Sequence, residues 1–162
     1  MTETLRDTDS YILFELANTT YAVQSRDVQH MEMVEHITPV PNAPPHVEGV
    51  VFSRGQVVPA INLRLRFGFA RAPYTLRSRL IVVQVGQRRV GLIVDAAREF
   101  RNITAEAIRP PHESITGLSG QYLAGIANIA GDRVVLLLNI PEVIKSGVEV
   151  PAAELALAEN AK

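Results

Sequence analysis

The sequence contains no cysteine among its 162 residues. A chain without cysteine forms no disulfide, offers no thiolate nucleophile and holds no zinc–thiolate site. Thiol redox chemistry is therefore excluded, and a reducing compartment is compatible with the composition.

Long hydrophobic runs are also absent. The longest ones, such as Val134–Leu138, fall far below the roughly 20 residues that a helix needs to span a bilayer. The first ten residues lack the basic and apolar regions of an export signal. We therefore expect a cytoplasmic protein that reaches a membrane only through a partner.

Residue combinations that carry catalysis are scarce. Ser53 stands in Phe-Ser-Arg-Gly rather than in a nucleophile elbow, and Asp95 has no second carboxylate nearby, which favours a turn or capping role. Gly117–Gly120 lacks the lysine and the strand-to-helix context of a phosphate-binding loop. The histidines show no metal-ligand spacing; they are His30, His36, His46 and His112. We predict no enzyme activity, no cofactor and no metal.

Charge is distributed unevenly along the chain, although the net charge is −1. Residues 54–109 carry 11 basic side chains, all arginine, and 3 acidic ones, whereas residues 1–53 carry 2 basic and 8 acidic ones. The arginines either form a protein interface or pair with the acidic N-terminal part. A basic β-barrel that binds nucleic acid is the alternative function, although the aromatic residues of this stretch lack a stacking pattern.

Short β-branched segments separated by Gly and Pro turns recur along the chain. The predicted hairpins pair Tyr11–Leu16 with Tyr21–Val23, Val50–Phe52 with Val57–Ile61, Arg79–Val85 with Val90–Val94, and Tyr122–Ile129 with Arg133–Ile140. Met31–Glu35 and Arg98–Arg101 are predicted as further strands. Ser25 is a candidate cap for a short helical turn, and Pro45 could begin a short helix running to Gly49. This pattern indicates an all-β fold whose sheets close into barrels.

A weak internal repeat supports two such barrels. Leu16–Val23 aligns with Val85–Leu92 at an offset of 69, which places Met31 opposite Phe100. The segment from Gly49 likewise aligns with the segment from Gly125 at an offset of 76. The repeat predicts two small five-stranded barrels joined by an apolar seam. We expect a flexible N-terminus over 1–10, the domain over 11–145, and a C-terminal helix or tail over 146–162.

Ile37–Val50, followed by Ser53–Arg64, resembles the CheW family of chemotaxis coupling proteins. The resemblance continues through Val82–Asp95, Ile108–Pro111 and Tyr122–Ile140, and it covers roughly residues 11–145. It implies two SH3-like five-stranded barrels and a scaffold without catalysis. Such a protein couples chemoreceptors, the methyl-accepting chemotaxis proteins, to a CheA-type histidine kinase in cytoplasmic receptor arrays. Other CheW-like domains are possible further partners in array rings.

The resemblance also implies partner-binding positions. Arg54 and Gly55 match the Asn-Leu-Arg-Gly motif, and further matches near the receptor groove are Val28, Gly49, Gly91 and Phe100. Met31, Met33 and Val40 would lie on the barrel that faces the kinase regulatory domain. His30 and Arg79 depart from the family pattern at positions expected to face partners. These departures favour equally a flagellar role and a paralogue in another chemosensory pathway. A kinase fragment or the coupling part of a CheV-like fusion is the alternative within the family.

Overall fold

The computed structural model of the chain describes residues 8–111 and 122–145. The predicted tail over 146–162, the loop at Gly117–Gly120 and residues 1–7 of the predicted N-terminus lie outside the described residues. Residues 8–10, which we had assigned to that terminus, belong instead to the first strand, because Thr8 pairs with Thr104 and Ser10 with Asn102.

Strands dominate the described residues, as predicted. The strands are β1 Thr8–Leu16, β2 Thr19–Gln24, β3 Val28–Met33, β4 Val47–Ser53, β5 Gln56–Asn62, β6 Arg79–Val85, β7 Arg88–Val94, β8 Ala96–Thr104, β9 Ile108–Arg109, β10 Leu123–Ile129 and β11 Arg133–Leu138. The helices are the single turns α1 Leu63–Arg66 and α2 Ile140–Val143, with 3-10 turns at Ser25–Asp27 and Ala105–Ala107.

Two local predictions are wrong. The short helix from Pro45 to Gly49 does not form, because the chain turns through a hydrogen bond from Val47 N–H to the Pro44 carbonyl and then pairs Val47 with Ile61 in β4. The helical turn at Ser25 does form, but its side chain does not cap it. The Ser25 hydroxyl instead hydrogen-bonds the hydroxyl of Ser10, 3.0 Å away.

The strands form two curled sheets. Barrel 1 has the order β8-β1-β2-β11-β10-β9, and barrel 2 has the order β3-β6-β7-β5-β4. The sixth strand of barrel 1 is the two-residue β9, and its counterpart in barrel 2 is a single bridge between Thr38 and Val50. This architecture confirms the predicted all-β fold with two barrels.

The two sequence repeats exchange their hairpins. The β1–β2 hairpin of the first repeat joins β8 and β11 of the second, and the β6–β7 hairpin joins β3 and β5 of the first. The parallel pairs Ala22–Leu137 and Gly91–Ala60 occupy equivalent places in the two barrels. Equivalent asparagines also cap the one-turn helices, since Asn62 accepts from Leu65 N–H and Asn139 from Glu142 N–H.

The aligned glycines Gly49 and Gly125 mark matching irregularities in β4 and β10. The strand register shifts next to each of them. A Cβ atom at Gly49 would lie 2.1 Å from the Thr38 carbonyl oxygen, and one at Gly125 would lie 2.7 Å from the Ile108 Cγ2 atom. Glycine is needed at both places because a neighbouring segment passes directly over the strand.

Both faces of the central hairpins are buried. In β1, Leu13 points into the core of barrel 1, while Ile12 and Phe14 point into a cluster between the barrels. In β6, Val82 points into the core of barrel 2, while Ile81 joins the same central cluster. The predicted apolar seam is therefore a filled core, in which each large side chain contributes about 1.5–3 kcal/mol by burial. No helix in residues 8–111 and 122–145 is long and apolar enough to span a bilayer.

Candidate functional site

A cavity of about 640 Å³ opens on barrel 2. It lies between the start of β3, the β4–β5 turn and the end of the β6–β7 hairpin, and we call it the barrel 2 cavity. Three of the predicted partner-binding residues line it. The lining side chains and backbone belong to Arg26, Asp27, Val28, Gln29, His30, Ser53, Arg54, Val58, Val82, Gln84, Gly86 and Arg89.

Val28 and His30 enter the cavity from β3. Val28 pairs with Val83 and packs against the central cluster, and a register shift then sets His30 opposite Val82. The His30 Nε2 atom lies 2.7 Å from Glu32 Oε2 and 2.6 Å from the buried Ser53 hydroxyl. The Ser53 hydroxyl also donates to the Glu32 carboxylate.

This cluster holds the imidazole in place and does not assemble a nucleophile. A serine activated by histidine needs one ring nitrogen facing the hydroxyl and the other facing the carboxylate. In this structure the same nitrogen, Nε2 of His30, faces both Ser53 and Glu32. The Ser53–His30–Glu32 cluster therefore lacks the arrangement of a catalytic triad.

Arginines give the barrel 2 cavity a positive rim. Arg54 sits in the β4–β5 turn with φ +48°, is exposed, and has no hydrogen-bond or ion-pair partner among the described residues. Arg26 is also exposed, and Arg89 donates from Nε to Gln84 Oε1 at 3.0 Å. Asp27 is the acidic side chain of the described lining; burial raises its pKa, and the charge of Arg26 partly opposes that rise. The cavity therefore favours an anionic ligand group.

The predicted kinase-facing residues lie on β3 and beside β4. Met33 is 45 % exposed, whereas Met31 is partly buried against the central cluster. Both methionines lie on one face of β3, as their spacing predicts, opposite Arg79 and Ile81 of β6. Val40 packs with Val47 and Val50 in a small cluster on the outside of the sheet. These residues do not line the barrel 2 cavity.

Three further predicted residues have structural roles. Gly49 and Gly91 are buried in the sheet of barrel 2, and a Cβ atom at Gly91 would lie 2.6 Å from Leu80 Cδ1. Arg79 donates from Nη1 to the carbonyls of Leu76 and Ser78, both at 2.8 Å. The guanidinium of Arg79 is therefore tied to its own loop. Gly55, in contrast, is exposed in the β4–β5 turn beside Arg54.

Phe100 lies on the opposite barrel, at the edge of the central face. It pairs with Ile12 across β8 and β1, and Ile12 belongs to the central cluster. Directly opposed residues of antiparallel strands share one face, so Phe100 extends that apolar face into solvent, with 67 % of its surface exposed. The repeat alignment placed Met31 opposite Phe100, and the strand registers agree with that placement. Met31 is the counterpart, because it lies opposite Ile81, the repeat-related equivalent of Ile12.

Acidic residues neutralise many of the arginines in the middle stretch. Arg71 pairs with Glu48 and Arg98 with Glu15, both in the acidic N-terminal part. Asp95, expected to have a turn or capping role, accepts hydrogen bonds from Nε and Nη2 of Arg64 and from Ala17 N–H. Ion pairs thus neutralise much of the positive charge of residues 54–109. Among the described residues, arginines without an ion-pair partner line the rim of the barrel 2 cavity.

Sequence reasoning missed part of the cavity lining. Arg26, Gln84 and Arg89 were not among the predicted partner-binding residues, although all three line the cavity with Arg54. They come from three separate elements and share no motif. The exchange of hairpins between the repeats brings β3, β5 and β6 into one sheet, and no spacing in the sequence reports that exchange.

Comparisons with known proteins agree with this fold. Residues 10–148 match the model of the CheW-like domain. The chemotaxis protein CheW of Klebsiella aerogenes is 33 % identical over 93 % of this chain and 86 % of its own length. The probable chemotaxis protein CheW of Rhizobium etli is 33 % identical over 88 % of this chain and 90 % of its own length.

A solved structure supports the same assignment. The crystal structure of the scaffolding protein TtCheW from Thermoanaerobacter tengcongensis superposes with a TM-score of 0.79 at 28 % identity, covering 89 % of this chain and 97 % of that one. Sequence match, fold and topology agree over almost the whole described chain. The chain belongs to the CheW-like domain family.

Proposed function

We propose that this chain is a non-catalytic coupling adaptor of a chemosensory array, which holds chemoreceptors and a CheA-type histidine kinase together. The observation that carries the proposal is the match to the CheW-like domain over residues 10–148, combined with candidate surfaces on both barrels. An adaptor needs two contacts that can be made at the same time. The nucleic-acid-binding alternative receives no support from the comparisons.

The kinase contact is proposed on barrel 2. The exposed Met33 and the outer cluster around Val40 present apolar side chains that a partner barrel could cover. Methionine adapts its shape to different partners because its side chain is unbranched and polarisable. The regulatory domain of the kinase is the proposed partner of this surface, and another CheW-like domain is a possible second one.

The receptor contact is proposed along the edge of the central face. Phe100 supplies an exposed aromatic anchor there, Val28 supplies partly buried apolar surface, and Arg54 supplies a charge at the rim of the neighbouring cavity. A helical receptor tip would bind in the helix-in-groove mode, with a few apolar anchors buried and charges at the margin. Arg79 is removed from this set because its guanidinium is already bonded to backbone carbonyls.

The chain would act in the cytoplasm, at receptor arrays, and would meet the membrane only through the receptors. A role without catalysis is supported by the His30–Ser53–Glu32 geometry, in which one ring nitrogen faces both oxygen atoms.

The test is co-purification of the full chain with the chemoreceptors and the CheA homologue of its own organism, each offered alone and then together. We expect the chain to retain each partner and to increase recovery of the receptor–kinase pair. Retention of neither partner would refute the coupling function. Titration with DNA and RNA at two salt concentrations tests the alternative, since binding to phosphates weakens steeply with salt.

A further inference from the structure

The barrel 2 cavity carries an excess of positive charge that the described residues do not neutralise. Arg26, Arg54 and Arg89 line it, and Asp27 is the acidic side chain of the described lining. Arg54 has no hydrogen-bond or ion-pair partner among the described residues. A concave surface of this kind favours a segment that carries several carboxylates.

The described part of the chain ends close to this cavity. Ile144, just after α2, is buried in the central cluster, and Arg88 donates from Nη1 to the Lys145 carbonyl at 3.2 Å. Arg88 begins β7, directly after the hairpin turn. Gln84, Gly86 and Arg89 of that hairpin line the cavity. Arg88 pairs with Val85, which packs on the central cluster, whereas Gln84 and Arg89 face the cavity. The segment that follows Lys145 therefore starts on the other face of the hairpin whose end lines the cavity.

The segment after Lys145 has matching charge and sufficient length. Residues 146–162 carry the acidic side chains Glu149, Glu154 and Glu159 against the single basic residue Lys162. At about 3.3 Å per extended residue, even the first half of this segment spans more than 20 Å. That reach exceeds the width of the hairpin, so the carboxylates can meet the arginine rim without rearrangement of the barrel.

We propose that the acidic segment 146–162 docks in the barrel 2 cavity and competes there with the partner. The competition rests on the proposed function, because Val28, His30 and Arg54 of the partner-binding set line the same cavity. A tethered segment has an effective local concentration on the order of 1 mM. Even a weak contact would then be occupied for much of the time, and a partner must displace it.

The docking itself can be tested without any partner. The chain has no cysteine, so Ala161→Cys provides a single attachment point for a nitroxide spin label. At low salt we expect broadening of the amide signals of Gln29, Ser53 and Gly86, which line the cavity. The amide of Gly131 is the internal control, since it lies in the β10–β11 turn, a full strand length away from α2.

Charge neutralisation distinguishes docking from chance proximity. In the labelled variant Glu149→Gln/Glu154→Gln/Glu159→Gln, the broadening at the cavity should disappear, and about 1 M salt should have the same effect because the Debye length falls to about 3 Å. Cavity signals no more broadened than Gly131, or broadening that survives the triple substitution, would overturn the proposal. If a label at Thr2→Cys broadens the cavity signals and the label at Ala161→Cys does not, residues 1–7 occupy the cavity and the docking proposal is wrong.

The competition has a separate readout. At low salt the triple glutamine variant should bind a soluble receptor-tip fragment several-fold more tightly than the wild-type chain does. The difference should vanish at high salt. If the spin-label experiment succeeds and no partner binds, the segment docks and the proposed function fails. If partners bind and the cavity signals are unaffected by the label, the coupling function stands and the docking proposal is wrong.

Discussion

Arg54 combines exposure, a fixed turn position and the absence of a partner among the described residues. Its removal should therefore cost little folding free energy, because no native contact of the guanidinium is lost. Arg54→Ala is expected to leave the melting temperature within a few degrees of wild type and to weaken partner binding by about tenfold, which corresponds to roughly 1.4 kcal/mol.

Arg109→Ala is the matched control for Arg54→Ala, because Arg109 is exposed on barrel 1 and its side chain likewise has no partner among the described residues. Thermal melting and pull-down are measured on both variants. A large fall in melting temperature with normal pull-down would show that Arg54 is structural, and equal losses in both variants would show a general charge effect.

Gly49, predicted as a position near the receptor groove, has a packing role in the fold. A Cβ atom there would lie 2.1 Å from the Thr38 carbonyl oxygen, and the backbone has φ +150°. Since a backbone carbonyl cannot rotate away as a side chain can, Gly49→Ala should destabilise the fold by about 3 kcal/mol or more.

Gly55→Ala is the control for Gly49→Ala, because φ is +83° but nothing lies within 4 Å of the added carbon. It should cost only the left-handed backbone strain of about 1–2 kcal/mol. Denaturant unfolding of both variants gives the comparison. Equal destabilisation would mean that backbone conformation alone, and not the approach of Thr38, requires glycine at position 49.

At the scale of secondary-structure elements, Asp95 links three parts of the chain. Its carboxylate accepts from Arg64 Nε and Nη2 of α1, both at 2.9 Å, and from Ala17 N–H of the β1–β2 turn at 2.9 Å. Burial by itself would raise the pKa of Asp95, but the hydrogen bonds from Arg64 and Ala17 and the Arg64 charge outweigh it and hold that pKa below its usual range. The pair joins the hairpin of barrel 1 to the helix of barrel 2.

This depressed pKa fixes the sign of a pH effect. The stabilisation from Asp95 is fully present above the unfolded pKa of about 3.9 and is lost as the pH falls through the lower folded value. Asp95→Asn should therefore destabilise the chain at pH 7, by roughly 1.5–3 kcal/mol as for a hydrogen bond to a charged group, and the gap from wild type should close in acid. Urea unfolding at pH 7 and across the acid range measures it.

Arg64→Gln provides the control for the Asp95 prediction. In that background the effect of Asp95→Asn should be smaller and much less dependent on pH, because the charged partner is gone. A gap that stays constant from neutral to acid pH in the wild-type background would contradict an ion-pair role and would leave the Ala17 N–H bond as the main contribution.

Elements were predictable from the sequence where local pattern and tertiary pairing agree. β6 and β7 follow from β-branched runs around Gly86, and the predicted bounds Arg79–Val85 match β6. The segment Pro45–Gly49 was misread because proline favours a helix start, whereas the pairing of Val47 with Ile61 determines the outcome. The Ser25 cap failed for a similar reason, since Ser10 lies within hydrogen-bond distance only in the folded chain.

At the scale of the whole molecule, the repeat predicted two barrels but not which strands each barrel contains. Val28, His30 and Arg54 were predicted for three separate reasons, and all three line one cavity. Arg26 and Arg89 could not be added from the sequence, because the exchange of hairpins places them there. The repeat alignment placed Met31 opposite Phe100, and the register of β8 on β1 and of β3 on β6 gives the same correspondence.

The exchange of hairpins predicts that neither repeat folds alone. A fragment over 1–71 keeps β1–β2 but loses β8 and β11, and a fragment over 72–162 keeps β6–β7 but loses β3 and β5. Isolated hairpins are marginally stable at best in water. Circular dichroism should show one cooperative melting transition for the whole chain and none for either fragment. A cooperative transition in one fragment would show that its half is an independent domain.

The last prediction concerns how the whole molecule binds a receptor tip. Phe100 is exposed on a face continuous with the central core, so Phe100→Ala should weaken binding of a soluble helical receptor-tip fragment by about tenfold or more and leave the melting temperature almost unchanged. Val134→Ala is the matched control, because Val134 is also apolar, on barrel 1 and 50 % exposed, but lies on β11. Val28→Asp is a poorer test than Phe100→Ala, since Val28 packs against the central cluster and a buried charge there would destabilise the fold itself. Arg79→Ala should have a small effect at any salt concentration, because its guanidinium is bonded to the Leu76 and Ser78 carbonyls. Normal binding by Phe100→Ala, together with a salt-dependent loss in Arg79→Ala, would mean that the receptor is held by surface charge and not by the apolar edge.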